Sequence, residues 1–393
     1  MPQPIGSVVY SVKVNGVTDL NFPVTVELHQ SWGQHDMVVL KVIATKNHSY
    51  RKLLNAWPDG AAIELLWGRL PDELLTWYGY ISHKAFQSEN DFGSNTAQVT
   101  YYLIGTSKVM NTHKNMAWKN VSYSVMAYKI AKQNGFRCVA TNTGAPVKYE
   151  LQAFESDFQF LNRMADKIGF RFWVSGGTLY FIDPAVIIQG ANTRFIPHYL
   201  IDKVPGQRDT AVNFCTLQGD NLPGSMIANR RAWGIDVKFG GRIFDSKADG
   251  ALHDIDLFNP DWFVASRGEA KQRMNAKQSR AQFWRYATVD VGGFTALYPG
   301  KVLSLDGHGI ADSQQGNWLV TSVIHRLQSR TQLVNPSLDA YTTHVQMMKN
   351  QTGTLPTIKG IQPVKPEIVT CILSNNKWHS TNLNAIQEGV VQR

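Results

Sequence analysis

Apolar and polar residues alternate through most of the first hundred positions. Val8, Tyr10, Val12 and Val14 recur every second residue, the spacing of a strand with one buried face. Asn15-Gly16 follows at once, a strong short-range hairpin signal because both residues tolerate the left-handed backbone that a two-residue turn requires. Alternating or continuous apolar runs continue at Phe22–Leu28, Met37–Thr45, Ala61–Trp67, Thr76–Phe86 and Thr96–Ile104. Ser49–Trp57 reads as a short helix closed by Pro58-Asp59-Gly60. Residues 1–107 are therefore expected to form a small antiparallel barrel, a closure that removes exposed strand edges.

The period changes after Gly105. SVMAYKIAKQNG predicts a helix capped by Ser122, with Val125, Met126, Ile130 and Ala131 inward and Asn134-Gly135 as its stop. A polar loop, Thr141–Lys148, leads into Phe154–Asp183. There Ser156 and Gln159 have the spacing of a capping box. Asp157 sits where the helix dipole favours a carboxylate. Phe158, Leu161, Met164, Ala165 and Ile168 fall on one helical face, and Gly169 is a ready left-handed stop. FRFWV and TLYFI, separated by Ser175-Gly176-Gly177, read as a hairpin. Residues 108–200 are thus expected to be a separate α/β unit with two helices.

Strand patterns return at Ala211–Gln218, Ala287–Val291, Lys301–Leu305, Asn317–Gln328 and Tyr341–Lys349. Ser225–Phe239 is read as holding a strand and Gly240–Pro260 as loop. Ser266 and Glu269 form a second capping box, opening a helix of about 20 residues through Tyr286. The expectation is a second barrel over 201–349 with a loop-and-helix insertion near 226–286. Residues 350–393 carry Pro356, Pro363 and Pro366 without a sustained period and read as an extended arm. The fold class is β-rich α+β.

Composition adds little to this picture and excludes more than it assigns. Hydrophobic content of 43% and charged content of 18% over 393 residues mark a globular chain with room for several cores. No apolar run approaches the ~18 residues that cross a bilayer. The N-terminal MPQPIGSVVYSVKVNG has none of the features of a secretory leader. Cys138, Cys215 and Cys371 are scattered, as befits buried thiols rather than a disulfide framework. The net charge of +9 has one local concentration, Arg267, Lys271, Arg273, Lys277, Arg280 and Arg285 against Glu269. These residues are candidates for an acidic neighbour or a polyanion; the alternative is an exposed helix face.

The sequence carries no catalytic motif. There is no His-Glu-x-x-His or Cys-x-x-Cys pair, and His253-Asp254 with Asp256 is the nearest approach to a metal set. His29 and His35 flank a turn and read as surface residues, while His325 reads as a satisfied, half-buried strand imidazole. Gly219-x-x-x-x-Gly224-Ser225 lacks the lysine of a P-loop. No nucleophile elbow is present. Paired carboxylates for glycan cleavage are a spatial property that sequence alone does not define. No catalytic residue, metal or cofactor is assigned.

One resemblance organises these observations. Glu155-Ser156-Asp157-Phe158, Phe160-Leu161, Arg163, Ala165, Gly169-Phe170, Phe172 and Phe181-Ile182-Asp183 are similar to the middle signature of bacteriophage tail hub proteins. That family is the late control protein D family, related to the hub portion of type VI secretion spikes. Flanking matches are Gly105, Trp118–Ser122 and Ile130-Ala131 to Gly135 upstream, then Ala270–Trp284, Pro299–Val302 and Val320–His325 downstream. The resemblance covers about residues 1–349. The β-helical needle that continues the secretion-spike members is not seen in this sequence.

The resemblance implies two tail-tube-like barrels per subunit with the α/β unit between them. It further implies a homotrimeric ring that adapts a hexameric tail tube to a trimeric spike around a channel for the genome. Implied partners are a tail tube or distal ring protein, a spike or tip protein, and baseplate wedge and tape measure proteins, with DNA only in passage and no membrane insertion. The implied location is the virion tail after synthesis in a host cytoplasm. The alternatives are the hub of a bacterial contractile injection system and, from another class, a tail-associated peptidoglycan-degrading enzyme.

Overall fold

A computed structural model describes residues 8–18, 24–45, 55, 57–69, 73–88, 96–144, 146–190, 198–200, 214–219, 229–235, 242–248, 256–260, 272, 283, 285–307, 314–328, 341–349, 368–371 and 379–381. Over these residues the chain is strand-rich with few helices, a β-rich α+β protein.

The N-terminal part supplies β1 (Val8–Val14), β2 (Val17–Thr18), β3 (Val24–Ser31), β4 (Met37–Thr45), β5 (Ala62–Arg69), β6 (Glu73–Ser88) and β7 (Thr96–Gly105). Asn15 and Gly16 both take positive φ, 49° and 81°, and close the β1–β2 turn so that Val14 opposes Val17. The antiparallel order is β3-β4-β7-β6-β5-β1-β2. Val12 from one end of this path and Val26 and Leu28 from the other lie in the same core cluster, with Leu40, Trp57, Trp67 and Tyr101 between them. The sheet therefore curls around its own apolar face. The expected Ser49–Trp57 helix lies outside the described residues, apart from Asn55 and Trp57.

The α/β insertion begins with a 3-10 turn at Thr106–Asn111. It continues as β8 (His113–Val121), α1 (Tyr123–Gln133), β9 (Arg137–Thr141), β10 (Val147–Ser156), α2 (Asp157–Ile168), β11 (Arg171–Ser175), β12 (Thr178–Ile182) and α3 (Pro184–Gly190). It has three helices rather than two: Pro184 starts the third, and its short apolar run PAVIIQG has no helical period to read. On α1, Val125 is only partly buried and Tyr123 takes the inward place. β8 and β10 pair as a separate two-stranded ribbon, while β11, β12 and β9 form a small mixed sheet.

The C-terminal part contributes β13 (His198–Leu200), β14 (Phe214–Gly219), β15 (Asn229–Ile235), β16 (Arg242–Ala248), β17 (Asp256–Pro260), β18 (Arg285–Gly292), β19 (Val302–Asp306), β20 (Gly316–Gln328) and β21 (Tyr341–Lys349). Two predictions fail here. Gly240–Pro260 is not all loop, because β16 and β17 flank β15 in a three-stranded sheet. Arg285 and Tyr286 are not helical; pairing with Lys349 and Met348 of β21 makes them the start of β18.

β20 joins the two strand-rich parts. Its N-terminal end pairs with β19 and its C-terminal end with β3, while β21 runs along both. The result is one 13-stranded sheet; no ladder among the described residues closes either part on itself. Trp318, Leu319 and Val320 are all fully buried because both faces of β20 are covered there. Within the C-terminal segment, β22 (Ile368–Cys371) pairs with β9 and with β23 (His379–Thr381).

Candidate assembly interface

The helix α2 begins as its sequence dictates. Ser156 Oγ accepts from the Gln159 amide at 3.2 Å, and Gln159 Oε1 accepts from the Ser156 amide at 3.0 Å, so two otherwise unpaired N–H groups are satisfied reciprocally. Gly169, at φ 79°, ends the helix. Phe158 and Leu161 are buried in the insertion core.

Asp157 does more than favour the dipole. It is almost wholly buried and accepts from Lys114 of β8 at 2.5 Å, from Asn134 at the end of α1 at 2.9 Å and from Gln152 of β10 at 3.0 Å. One carboxylate thus fixes both helices against the ribbon. A buried charge with three donors is compensated, whereas an unpaired one would be costly. Glu155 stands outside this cluster: Arg163 grips it through Nε and Nη2 at 3.1 and 2.5 Å. Arg163 also reaches Glu150 at 3.1 Å, and Lys167 reaches Glu150 at 2.6 Å. The ribbon's inner side is strapped to α2 along its length.

A second set of contacts seats the insertion on the sheet. The β3–β4 turn, Trp32–Asp36, enters the insertion. The Gly33 amide donates to the Phe172 carbonyl at 2.7 Å, Trp32 lies 6.1 Å from Trp173, and the His35 ring lies 3.8 Å from Phe158. A Cβ on Gly33 would come within 2.7 Å of Asn162 Oδ1, and its φ of 67° is one that favours glycine. His35 also bonds Ser107 at 2.7 Å. It is not the surface residue expected, and burial holds its pKa down. Behind the turn, Val139, Trp173, Val186 and Ile187 pack with Val302, Leu319 and Met348 in one cluster. The small helix that sequence reading missed therefore forms part of the seam.

Two buried titratable groups lie on the sheet side. Burial pushes the Asp36 carboxyl up to about 7 against the bond from Gln30, whose Nε2 donates at 2.9 Å. Burial lowers His325 to about 4. That ring is fully buried rather than half-buried: Nε2 donates to the Leu297 carbonyl at 2.9 Å, and Tyr341 and Thr343 stand 3.0 and 3.2 Å from Nδ1. Both side chains are buried in the interior.

The outward side of the ribbon was not foreseen. Tyr149, Leu151 and Phe154 are 53%, 46% and 81% exposed. Phe154 takes φ 49° where the β10 register shifts between Gln152 and Glu155. The available sequence signal was the spacing of Tyr149, Leu151 and Ala153 after the loop.

Arg267, Lys271, Arg273, Lys277 and Arg280 lie outside the described residues, as do His253, Asp254 and Gly224. Among the described residues no group of three or more His, Cys, Asp or Glu could hold a metal ion.

No protein-family model and no curated protein sequence matches the chain. Solved structures do. A tail protein from Neisseria meningitidis MC58 superposes with a TM-score of 0.62 at 12% identity, over 88% of this chain and 98% of that one. The 43 kDa tail protein of prophage MuSo2 from Shewanella oneidensis gives 0.61 at 12% identity, over 87% and 98%. An E. coli component of the type VI secretion system, structurally similar to T4 bacteriophage tail proteins, gives 0.54 at 13% identity, over 90% and 80%. The chain thus has the fold shared by phage tail proteins and a type VI secretion component, as the resemblance in the Phe154–Asp183 signature implied.

Proposed function

We propose that this chain is a non-enzymatic phage tail or baseplate hub protein that works as a homotrimer. The observation that carries the reading is the match over nearly the whole length of two tail proteins. The curled core of the N-terminal strands and the separate core formed by β18–β21 support two barrel-like units per subunit. Three subunits then present six such units. That arrangement suits a ring between a hexameric tube and a trimeric spike, with a central passage for the genome. In this reading Arg267, Lys271, Arg273, Lys277 and Arg280 face an acidic neighbour or the passage.

The test is mass and shape together. Light scattering or sedimentation of the purified chain, alone and with its tail neighbours, should give three times the 44.1 kDa chain mass and rings by negative-stain microscopy. A monomer under every condition, with no ring, would refute the hub. The type VI secretion component among the structural neighbours favours one second reading, the hub of a bacterial injection particle. Labelling this chain in purified particles separates the two, because only one kind encloses DNA.

A further inference from the structure

The β8–β10 ribbon is a separate sheet, paired with none of the three larger ones. Its inner side is fixed by Asp157, Arg163 and Lys167 through the bonds described above. Its outer side carries Tyr149, Leu151 and Phe154, which sit 46–81% exposed on a rigid support. Phe154 is the most telling. An aromatic residue at φ 49° is in a region where a side chain is disfavoured. Its amide is held there by Asn115 Oδ1 at 2.9 Å, at the bulge that turns β10. Bulges re-aim side chains, and strain persists where the surroundings hold it in place. Here the surroundings aim a phenyl ring at solvent.

The charges around this strip have one sign. Glu150 and Glu155 are occupied by Arg163 and Lys167. Lys119, directly across from Tyr149, and Lys148 beside it are exposed and have no ion-pair partner among the described residues. An apolar centre with a cationic rim calls for an apolar strip rimmed by carboxylates. A second copy of this chain is a poor match, because it brings 39 basic residues against 30 acidic ones. Nucleic acid fits less well: Leu151 and Ala117 interrupt the aromatic surface, and stacking platforms need successive rings.

We propose that the outer face of the β8–β10 ribbon docks a different protein of the same particle, one that presents an apolar strip flanked by Asp and Glu. This rests on the tail reading above and adds a partner surface to it. The decisive experiment places a photo-crosslinker at Phe154 (Phe154→p-benzoylphenylalanine) in the producing strain and sequences the adducts from purified particles. The expected adduct is a peptide of another polypeptide with carboxylates flanking an apolar run. Adducts only to this chain, only to nucleic acid, or to nothing overturn the docking face while leaving the tail reading intact. Absence of the chain from the particles overturns both.

Phe154→Gly is the companion variant, since glycine relieves the positive φ while removing the ring. It is expected to melt no lower than the parent, yet to bind the crosslinked partner, purified, roughly thirtyfold more weakly, as for a central interface residue. Unchanged binding assigns Phe154 to surface decoration. Lys119→Glu should weaken binding most at low salt. Equal binding at low and high salt removes the carboxylate rim from the proposal.

Discussion

The 13-stranded sheet and the α/β insertion are both well packed but are specified differently. The sheet is joined at its middle by strands far apart in sequence: Ser322 Oγ on β20 donates to the Gln30 carbonyl on β3 across 292 positions. Its order comes from ladders and from apolar faces such as Val12, Leu28, Trp67 and Trp318. In the insertion, neighbours are close in sequence, and polar groups share the load through the Ser156–Gln159 box, the Asp157 cluster and the Arg163 straps. A unit specified locally can form anywhere, so its seating must come from elsewhere. Gly33, Trp32 and the cluster around Trp173 and Leu319 supply it.

The largest effect tests whether that seating couples the two regions. Trp318→Ala in the sheet and Phe160→Ala in the insertion each remove a fully buried aromatic and should cost about 3–5 kcal/mol. Because the seam joins them, calorimetry is expected to show one transition that both variants lower. Two transitions, with Phe160→Ala moving only one, would mean that the regions are thermodynamically independent.

Next in size is the polar cluster. Asp157→Ala strands Gln152 and Lys114 and should destabilise the chain by about 2–3 kcal/mol in urea titrations. Ser156→Ala, which loses one cap bond, should cost about 1 kcal/mol. Equal losses would show that the carboxylate acts only as a helix-end charge.

The last effect, read within a single pH unit, is a matter of sign. Asp36, raised to about 7, is protonated in the fold at pH values where the unfolded chain has released its proton. Its contribution is therefore present below pH 4 and lost as pH rises toward 7, by up to about 1.4 kcal/mol for each pH unit. His325, lowered to about 4, works the other way: stability falls as pH drops from 6.5 toward 4, where the unfolded chain protonates first. Asp36→Asn should flatten the first slope and leave the second. Denaturant midpoints from pH 4 to 8 for parent and variant measure this, and parallel curves would place the Asp36 carboxyl in contact with water.

The two modes of specification also explain what the sequence made legible. Alternation marked β4 and β7 at their observed starts, Met37 and Thr96, because one face of each is buried. The capping residues marked α2 to within a residue. The pairing of β20 with β3 left no trace, since register between remote strands is a property of two segments at once. β8 and β10 were missed because a ribbon wet on one side, with Glu150 and Gln152 buried on the other, breaks the apolar alternation. The basic candidates at 267–280 lie beyond the described residues. The signature, by contrast, was readable as a capped helix; its role as the fastening for an exposed ribbon came only with three dimensions.

β20 sets a timetable as well as a topology. β3 is complete after residue 31, yet the strand that covers its free edge spans Gly316–Gln328. At about 5–20 residues per second on the ribosome, that edge waits on the order of 15–60 seconds for its partner. An uncovered edge is a template for foreign strands. Production of this protein is therefore expected to be limited by what shields the nascent N-terminal strands, and slower growth temperature or a chaperone should raise soluble yield more than any stabilising change in the finished fold.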